Sequence, residues 1–472
     1  MIPEELARQV LGLAVAGGGD SAELFAERRT ETMLRMNGSR VEESTTGVDQ
    51  GVGLSLLDGQ QTLYANGNRF DGESLVRMAD RLARARSMIR QSVAAPPSER
   101  EQRVIEFTPE PLSLVSPVSV PAATVSIQRK AQVLQRADDA ARGHDERITQ
   151  VTVTYRDVQQ HVQIATTEGR LCSEVRQHIT ISVTAVACEG TQISTGTDSR
   201  GETRGFEFFD MNPPEDVGRE AARLAVHQLV AKPAPGGTFT VVLSSKAGGT
   251  MVHEACGHGL EADFIRKSLS VYTGKLGQPV ASRLVTVVDD GTLANLHGSS
   301  AIDDEGVPTS RTVLIERGIL RGFLHSRKTA REMKEQPTGH GRRESYRHLP
   351  IPRMRNTMIL PGRTPPDQML VGIREGVLVC RMGGGEVDVT TGNFVFNCPE
   401  AYMIRNGRVA EPIRGATLIG NGPEVLGSID KVGAELGFGV GTCGKDGQQV
   451  PVADAQPSLR IPHLIVGGQA PA

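Results

Sequence analysis

Two proline-rich stretches limit how far any helix or central strand of this chain can run. The first covers residues 96–121 and contains six prolines, and the second is the KPAPGG run at 232–237. Proline fixes φ and donates no backbone hydrogen bond, so each stretch predicts an extended connection. We therefore divide the 472 residues into an N-terminal α/β segment, a central α+β segment and a C-terminal, mainly β segment, at 1–110, 111–235 and 236–472.

Hydrophobic periodicity predicts both helices and strands in these segments. Segments with apolar residues at helical spacing predict helices near 3–17, 72–91, 122–142, 214–231 and 423–436. In the first segment, short alternating stretches predict strands near 22–28, 31–36 and 51–57, and the run 148–164 of the second resembles paired strands.

A strict alternation marks the strand near 179–187. Its apolar residues at 179, 181, 183, 185 and 187 predict one buried face, and His178 on the polar face is expected to be solvated. From about residue 280 onward, short apolar stretches separated by glycines predict antiparallel strands, at 283–288, 312–316, 377–381 and 393–397. The fold class is α+β, with helices, mostly antiparallel sheets and a C-terminal half dominated by strands.

Charge and cysteine content narrow the functional classes. Lys and Arg total 52 against 55 for Asp and Glu, a formal net charge of −3. This balance gives no electrostatic footprint for nucleic acid or for an anionic membrane. No stretch approaches the roughly 18 consecutive apolar residues of a membrane span. The six cysteines are scattered and form no CxxC pair, which indicates a reducing compartment, and we expect the cytoplasm.

The most informative segment is HEACGH at 253–258, in which two histidines flank a glutamate. The H-E-x-x-H helix of zinc peptidases places two histidine ligands at i and i+4 on one face. Here the histidines are five residues apart and would diverge by about 140° on a regular α-helix. Both can reach one ion if the helix is locally widened, as in a π-bulge, or ends between them. Gly257 and Gly259 supply the backbone freedom for either arrangement.

Two other interpretations of this segment are open on spacing alone. Glu254 and His258 are themselves i,i+4 and could bind a metal as a pair. His253 would then be a spectator, and no carboxylate would remain to act as a base. Alternatively, the segment is a structural helix N-terminus that carries a few polar residues.

The run HEACGHGLEADFIRK at 253–267 resembles the HExxxH segment of the TldD/PmbA family of metallopeptidases, on its TldD side. Other blocks of the third segment are also similar to this family: GHGRRESYRHLPIPRM at 339–354, GGGEVD at 383–388, FVFNCPEAY at 394–402, GATLIGNGPEVLG at 415–427 and GTCGKDG at 441–447. The combination is far more specific than one HExxxH motif, whereas the first two segments carry weaker signatures.

The resemblance implies a set of site residues. His253 and His258 match the two histidine ligands of the family, Cys443 matches the third ligand, and Glu254 matches the catalytic glutamate. Three protein ligands leave zinc a fourth position for water, as a catalytic site requires. The family mechanism then implies one zinc ion per chain, a metal-bound water that attacks the peptide carbonyl, and Glu254 as general base. The segment 236–472 would be the metal-binding catalytic domain.

The remaining cysteines are predicted to be packing residues. Cys256 lies inside the motif but projects to a different side from both histidines. Cys188, Cys380 and Cys398 are expected to be small buried hydrophobes. The glycine triplet at 383–385 lacks the GK[ST] ending of a phosphate loop, so it does not predict a nucleotide site.

Several polar residues of the 339–354 block are candidates for secondary roles. Arg342, Arg343 and Arg353 could orient substrate or stabilise charge on a tetrahedral intermediate, with salt bridging between domains as the alternative. His340 stands where family members commonly carry Asn, and it is either a polar contact near the cleft or a plain substitution.

The resemblance implies a zinc-dependent peptidase that hydrolyses unfolded or small peptides, held as an added β-strand in a narrow cleft. It also implies a homodimer, or a heterodimer with a PmbA-like chain that lacks the metal motif. The alternative is a non-catalytic peptide-binding or regulatory subunit, against which the retained residues His253, Glu254, His258 and Cys443 argue. A purely structural zinc site would usually have four protein ligands, and the sequence offers three.

Overall fold

The computed structural model describes residues 1–89, 105–109, 112 and 115–468. Much of the first proline-rich stretch (96–104, 110–111 and 113–114), the segment boundary at 110 and the last two residues of the helix predicted at 72–91 lie outside the described residues. The three-segment division therefore stays a prediction.

Within the described residues, seven strands form one sheet: β1 Ser21–Asn37, β2 Arg40–Asp58, β3 Gln61–Gly67, β4 Thr108–Pro109, β5 Ile148–Thr166, β6 Arg170–Glu189 and β7 Gln192–Glu202. The order is β3-β2-β1-β5-β6, with β4 and β7 both paired to β6, so the sheet joins strands from the first and central segments. The stretches predicted at 22–28 and 31–36 are parts of the single strand β1, and the predicted pair at 148–164 is the single strand β5. Neither strand contains the Gly or Pro that would favour a turn, so each continues as one extended segment.

The helices of the described residues are α1 Glu4–Ala16, α2 Gly72–Ile89, α3 Ile127–Arg142, α4 Phe208–Met211, α5 Pro214–Val230, α6 Thr250–Val252, α7 Ala262–Arg266, α8 Arg327–Met333 and α9 Gly422–Ser428. The apolar faces of α1 and α2 share a core with β1 and β2, and those of α3 and α5 share a core with β5 and β6. The alternating residues predicted to face inward on β6, from Ile179 to Ala187, are all fully buried. None of these helices is both long and apolar enough to cross a membrane.

The C-terminal part of the described chain is dominated by strands: β8 Lys232–Pro233, β9 Gly237–Leu243, β10 Val287–Asp290, β11 Arg311–Glu316, β12 Ile319–Leu320, β13 Gly341–Arg342, β14 Ile351–Pro352, β15 Asn356–Ile359, β16 Glu375–Arg381, β17 Gly385–Asp388, β18 Asn393–Cys398, β19 Glu400–Arg405, β20 Arg408–Arg414, β21 Ala416–Asn421, β22 Lys431–Lys445 and β23 Gln448–Gly467. Fourteen of these form one sheet, and β13 pairs separately with β14. Most pairings are antiparallel, which confirms the α+β class and the strand-dominated C-terminal half.

Two predicted elements of this region are wrong in extent. The strand expected at 283–288 is Val287–Asp290 in the structure, and the helix expected at 423–436 stops at Ser428. The residues after it enter β22, where glycines allow two segments of the backbone to approach closely. A Cβ at Gly437 would overlap the backbone of Ser245. Hydrophobic periodicity carries no information about this long-range contact. It therefore predicted a helix where the packing requires a strand.

The long strand β23 holds the sheet together around the candidate site. It pairs with β9, β15, β21 and β22, so it contacts both the strand that precedes the HEACGH segment and the strand that carries Cys443. β22 and β23 form an antiparallel hairpin in which Cys443 lies opposite Val450. The hairpin therefore brings residues that are nearly 200 positions from the histidines along the chain to the same place.

Candidate metal centre

The segment from His253 to Gly257 is one turn of π-helix, between α6 and a 3-10 turn at His258–Leu260. The backbone N–H of His258 donates to the carbonyl of His253, which is the i to i−5 bond that defines the wider turn. This turn brings the two imidazole rings to 5.0 Å between centroids, at 85° to each other. The widened helix that the five-residue spacing requires is therefore present.

Cys443 completes a compact group with the two histidines. Its Sγ and one ring nitrogen from each of His253 and His258 lie within 4.8 Å of one another, and all three residues are buried. The Sγ atom is 3.5 Å from Nε2 of His258. Of the described residues, this is the group of His, Cys, Asp and Glu that could hold a metal, and it contains His253 rather than the alternative ligand Glu254.

A carboxylate fixes the orientation of each imidazole. Nδ1 of His253 is 2.8 Å from Oδ1 of Asp454 on β23, and Nδ1 of His258 is 3.0 Å from Oε2 of Glu261. A hydrogen bond from Nδ1 leaves Nε2 of the same ring as the nitrogen that can bind an ion. Both rings are thus held in the direction that ligation needs.

Lys445 balances the buried acid beside His258. Its Nζ lies 3.0 Å from Oε2 of Glu261 and 2.7 Å from Oδ1 of Asp263, and 4.3 Å from the ring centre of Phe264. Burial raises the pKa of Glu261, but the opposite effect of Lys445 and His258 is larger and lowers the pKa to about 2. Glu261 is therefore a charged carboxylate at neutral pH, although it is fully buried.

The donors themselves have strongly shifted pKa values. Burial raises the pKa of the Cys443 thiol, but hydrogen bonds with His253 and His258 outweigh this effect and lower the pKa to about 5. Burial lowers the pKa of His258, and Glu261 and Cys443 reverse this effect and raise it to about 9. For His253, burial also lowers the pKa, and Asp454 raises it well above the ordinary value. The group is therefore a thiolate between imidazolium rings, from which a cation must displace protons.

Glu254 lies beside this group with its carboxylate free. Among the described residues it has neither a hydrogen-bond partner nor an ion-pair partner, and it is half-buried. Burial raises its pKa, and the nearby histidines act in the opposite direction with a smaller effect. A carboxylate with a raised pKa is better matched to accept a proton near neutral pH than an ordinary surface glutamate.

The three arginine candidates have different positions. Arg353 is fully buried and donates to the carbonyl of Cys443 at 2.5 Å and to that of Gln448 at 3.2 Å, so it holds the hairpin that carries the thiol. Arg343 pairs with Glu23 of β1 and lies over the ring of Phe25, which is a contact between the two sheets. Arg342 donates to main-chain carbonyls and lines a cavity described below.

The other polar candidates are structural. His340 is fully buried, with Nε2 3.0 Å from Asp289 and Nδ1 2.9 Å from Thr338, so it joins its own loop to β10 and does not face a cleft. The Cys256 thiol is buried and donates to the carbonyl of Val252, as expected for a packing residue. Cys398 is also buried as expected, whereas Cys188 and Cys380 are only half-buried, so the expectation of burial is wrong for these two residues.

Sequence reasoning did not find the carboxylates that hold the histidines. Glu261 lies three residues after His258, inside the HEACGHGLEADFIRK run. This short spacing was the signal that could have identified it as the partner of the His258 ring. Asp454 is 201 residues from His253 and sits in a continuous buried run of β23, at 452–457, so no local spacing relates it to the histidines. His178, expected to be solvated, instead lines a cavity, because the polar face of β6 lies toward residues of the C-terminal part such as Arg342 and Thr442.

Three domain models of one family match the chain in order. They describe PmbA/TldA metallopeptidase domain 1 at residues 22–86, the central domain at 120–229 and the C-terminal domain at 236–468. The chain is 37% identical over 461 residues to the Metalloprotease TldD homolog of Haemophilus influenzae, covering 95% of this chain and 93% of that one. It is 38% identical over 350 residues to a metalloprotease of Methanothermobacter thermautotrophicus, covering 74% and 76%.

A solved structure shares the whole fold. The crystal structure of a Thermotoga maritima protein, described as a candidate modulator of DNA gyrase, aligns with a TM-score of 0.77 over 98% of this chain and 100% of that one, at 22% identity. Together with the sequence matches, the fold and the His-His-Cys group define the chain as a metallopeptidase. It belongs to the TldD/PmbA family of these enzymes.

The carboxylate on His253 supports a first prediction. Asp454→Asn keeps the shape of the side chain but removes the charge that orients the ring, so we expect Zn²⁺ affinity to fall by about 10- to 100-fold. The measurement is competition with a chromophoric chelator at fixed pH. Asp430→Asn is the matched control, because Asp430 is exposed and pairs with Arg460 away from the site. Equal affinities for the two variants would contradict a positioning role for Asp454.

The pKa shifts support a second prediction. A metal binds neutral imidazole, so below pH 9 it must displace the proton of His258, whose pKa is about 9. Cys443, with a pKa of about 5, is already a thiolate at neutral pH and adds no further dependence there. We expect Zn²⁺ affinity to rise at least about tenfold per pH unit from neutral pH toward 9, after correction for the chelator. A flat profile over this range would show that these protons are not displaced.

Proposed function

We propose that this metallopeptidase is a zinc enzyme that hydrolyses unfolded or small peptides, with His253, His258 and Cys443 as the ligands and Glu254 as the general base. The observation that carries the proposal is the buried group whose three donor atoms lie within 4.8 Å of one another. Two imidazoles and a thiolate are donors that suit zinc, and one ion per chain is expected.

Bound zinc would lower the pKa of a water molecule and polarise the carbonyl of the peptide. Three protein ligands leave a position where substrate and water can enter, which distinguishes this set from a closed structural site. Asp454 and Glu261 hold the two rings, and Arg353 holds the backbone of Cys443 through its carbonyl. These residues fix the ligands before substrate arrives.

Glu254 is the residue we assign to proton transfer. It follows His253 directly on the π turn, and its carboxylate is half-buried and free of partners in the described chain. In this role it takes the proton of the attacking water and passes it to the leaving amine. The raised pKa of its carboxyl group favours acceptance of that proton.

An exposed strand edge supports the choice of unfolded peptides as substrates. In the described chain the other edge of β22 forms a bridge to Thr364 at Gly433, but no strand pairs with this edge near Cys443, where it can accept one. An extended peptide added there would use main-chain hydrogen bonds, which tolerate many sequences. A folded protein cannot present such a strand without unfolding locally.

The cellular setting is also part of the proposal. All six cysteines are free in the structure, in keeping with a reducing compartment such as the cytoplasm. The family resemblance supports a dimer, formed with a second copy or with a PmbA-like chain that lacks the metal motif. The second candidate function is a peptide-binding or regulatory subunit without turnover. Such a subunit would not need the free carboxylate of Glu254 beside the ligand group, so this carboxylate favours the peptidase.

The test is mass spectrometry of an unfolded peptide pool after incubation with the protein. We expect wild-type, zinc-loaded protein to cleave and Glu254→Gln to lose at least about 100-fold in rate with its metal content unchanged. The matched control is Glu73→Gln, since Glu73 is exposed on α2 and its ion pair in the described chain is with Arg77. Full activity in Glu254→Gln would remove it as the base, and no cleavage by metal-loaded wild type would favour the regulatory role.

A further inference from the structure

A cavity of about 130 Å³ lies between the seven-stranded sheet and the catalytic region. One wall is a face of the sheet, and the other is made by residues near Arg342, Arg355 and the β22–β23 hairpin. Its volume is sufficient for several water molecules or for one carboxylate group with water. It is separate from the histidines of the candidate metal centre, which do not line it.

The strand register explains why polar side chains collect on the sheet wall. Arg29 of β1 is paired with Gln160 of β5, which is paired in turn with Arg176 of β6, and His178 faces Val158 one step along. Residues directly opposite each other on neighbouring strands point to the same face. The face that sequence alternation marked as polar is therefore the wall of this cavity.

The cavity is lined by more arginines than carboxylates, since Asp304 and Glu344 are its acidic residues and two of its buried arginines form no ion pair in the described chain. Arg176 pairs with Asp304 and Glu174, but Arg342 and Arg355 have no carboxylate within ion-pair distance among the described residues. Arg342 donates to the carbonyls of Met354 and Pro451, and Arg355 donates to Ser300 and to main-chain carbonyls. Both are at least nine-tenths buried, at 7% and 2% exposure.

An unpaired buried cation is costly, because neutral acceptors replace only part of its hydration. The effect is visible in Arg342, where burial and the charge of Arg355 lower the pKa to about 9. An anion in the cavity would offset this repulsion. Nδ1 of His297 is also buried in the cavity wall and lacks a hydrogen-bond partner in the described chain, so it is an acceptor that a water molecule beside the anion can fill.

The cavity reaches the hairpin that carries the third candidate ligand. Thr442, which lines it, precedes Cys443, and Val450, which also lines it, is the cross-strand partner of Cys443. An extended peptide advances roughly 3.3 Å per residue. The cavity and the candidate metal centre are therefore bordered by neighbouring residues of the same hairpin.

We propose that this cavity binds a carboxylate group of the peptide substrate, either an Asp or Glu side chain or the C-terminal carboxylate, with Arg342 and Arg355 as its charged partners. The proposal rests on the proposed peptidase function, since it names the chemistry that the substrate carries near the cleaved bond. Arg342 suits this task because a guanidinium group can donate paired hydrogen bonds to a carboxylate, and Arg355 adds a second positive charge beside it.

The test measures binding rather than cleavage. Zinc-loaded Glu254→Gln protein is titrated by calorimetry with unfolded seven-residue peptides that differ only by Glu or Gln at one position, each as the C-terminal acid and as the amide. We expect the carboxylate form to bind at least about tenfold more tightly in one of these two comparisons. The Glu and Gln pair reports a side-chain carboxylate, and the acid and amide pair reports the terminus. Because no turnover is needed, a preference would stand even if the protein cleaved nothing.

Variants of the cavity decide whether the preference arises there. Arg342→Met should abolish it, whereas Arg347→Met, the same change at an exposed residue paired with Asp49, should retain it. Gln449→Glu adds a carboxylate at the exposed rim of the cavity with almost no change of shape, and should weaken the preference even if Arg342→Met fails to fold. Equal binding of all peptides would overturn the proposal, as would a preference that survives both cavity variants. Displacement by inorganic phosphate without any peptide preference would also overturn it, in favour of a free-anion site.

Discussion

The hydrogen bond from the N–H of His258 to the carbonyl of His253 sets the geometry on which the rest of the centre depends. It spans five residues, and this wider turn brings both rings to one side although a regular α-helix would separate them. The surrounding packing has no room for larger residues around this turn. A Cβ at Gly257 would overlap Sδ of Met354, and one at Gly422 would overlap the carbonyl of Ala255. The turn is therefore held by contacts from strands and loops far along the chain.

Buried charge is arranged around this turn in opposite-sign pairs. Asp454 and Glu261 each accept from one histidine, and Lys445 lies against Glu261 and Asp263. Such groups are stable in the interior only when each charge has a partner, and removing one partner leaves the other exposed to the full cost of burial. The cavity beyond the hairpin differs, because two of its arginines have neutral acceptors alone among the described residues. That contrast is why the cavity, and not the surroundings of the histidines, points to an external anion.

Local sequence predicted those parts of the molecule that depend on short-range chemistry. The five-residue spacing with Gly257 required a widened or broken helix, and the alternation at 179–187 gave a strand with one buried face. Contacts over long separations could not be predicted. Asp454 lies in an unremarkable strand, and the helix expected at 423–436 becomes a strand at Lys431 because β22 packs through its glycines against a distant backbone. The family resemblance supplied Cys443, which spacing alone could only suggest from its flanking glycines.

X-ray absorption at the zinc edge of the metal-loaded protein tests the central claim most directly, because it reports the ligand atoms themselves. A centre built from His253, His258 and Cys443 predicts one sulfur at about 2.3 Å and nitrogen or oxygen neighbours at about 2.0–2.1 Å. The sulfur should disappear in Cys443→Ser while the imidazole scattering remains. A wild-type spectrum without sulfur, or one that Cys443→Ser leaves unchanged, would contradict this centre.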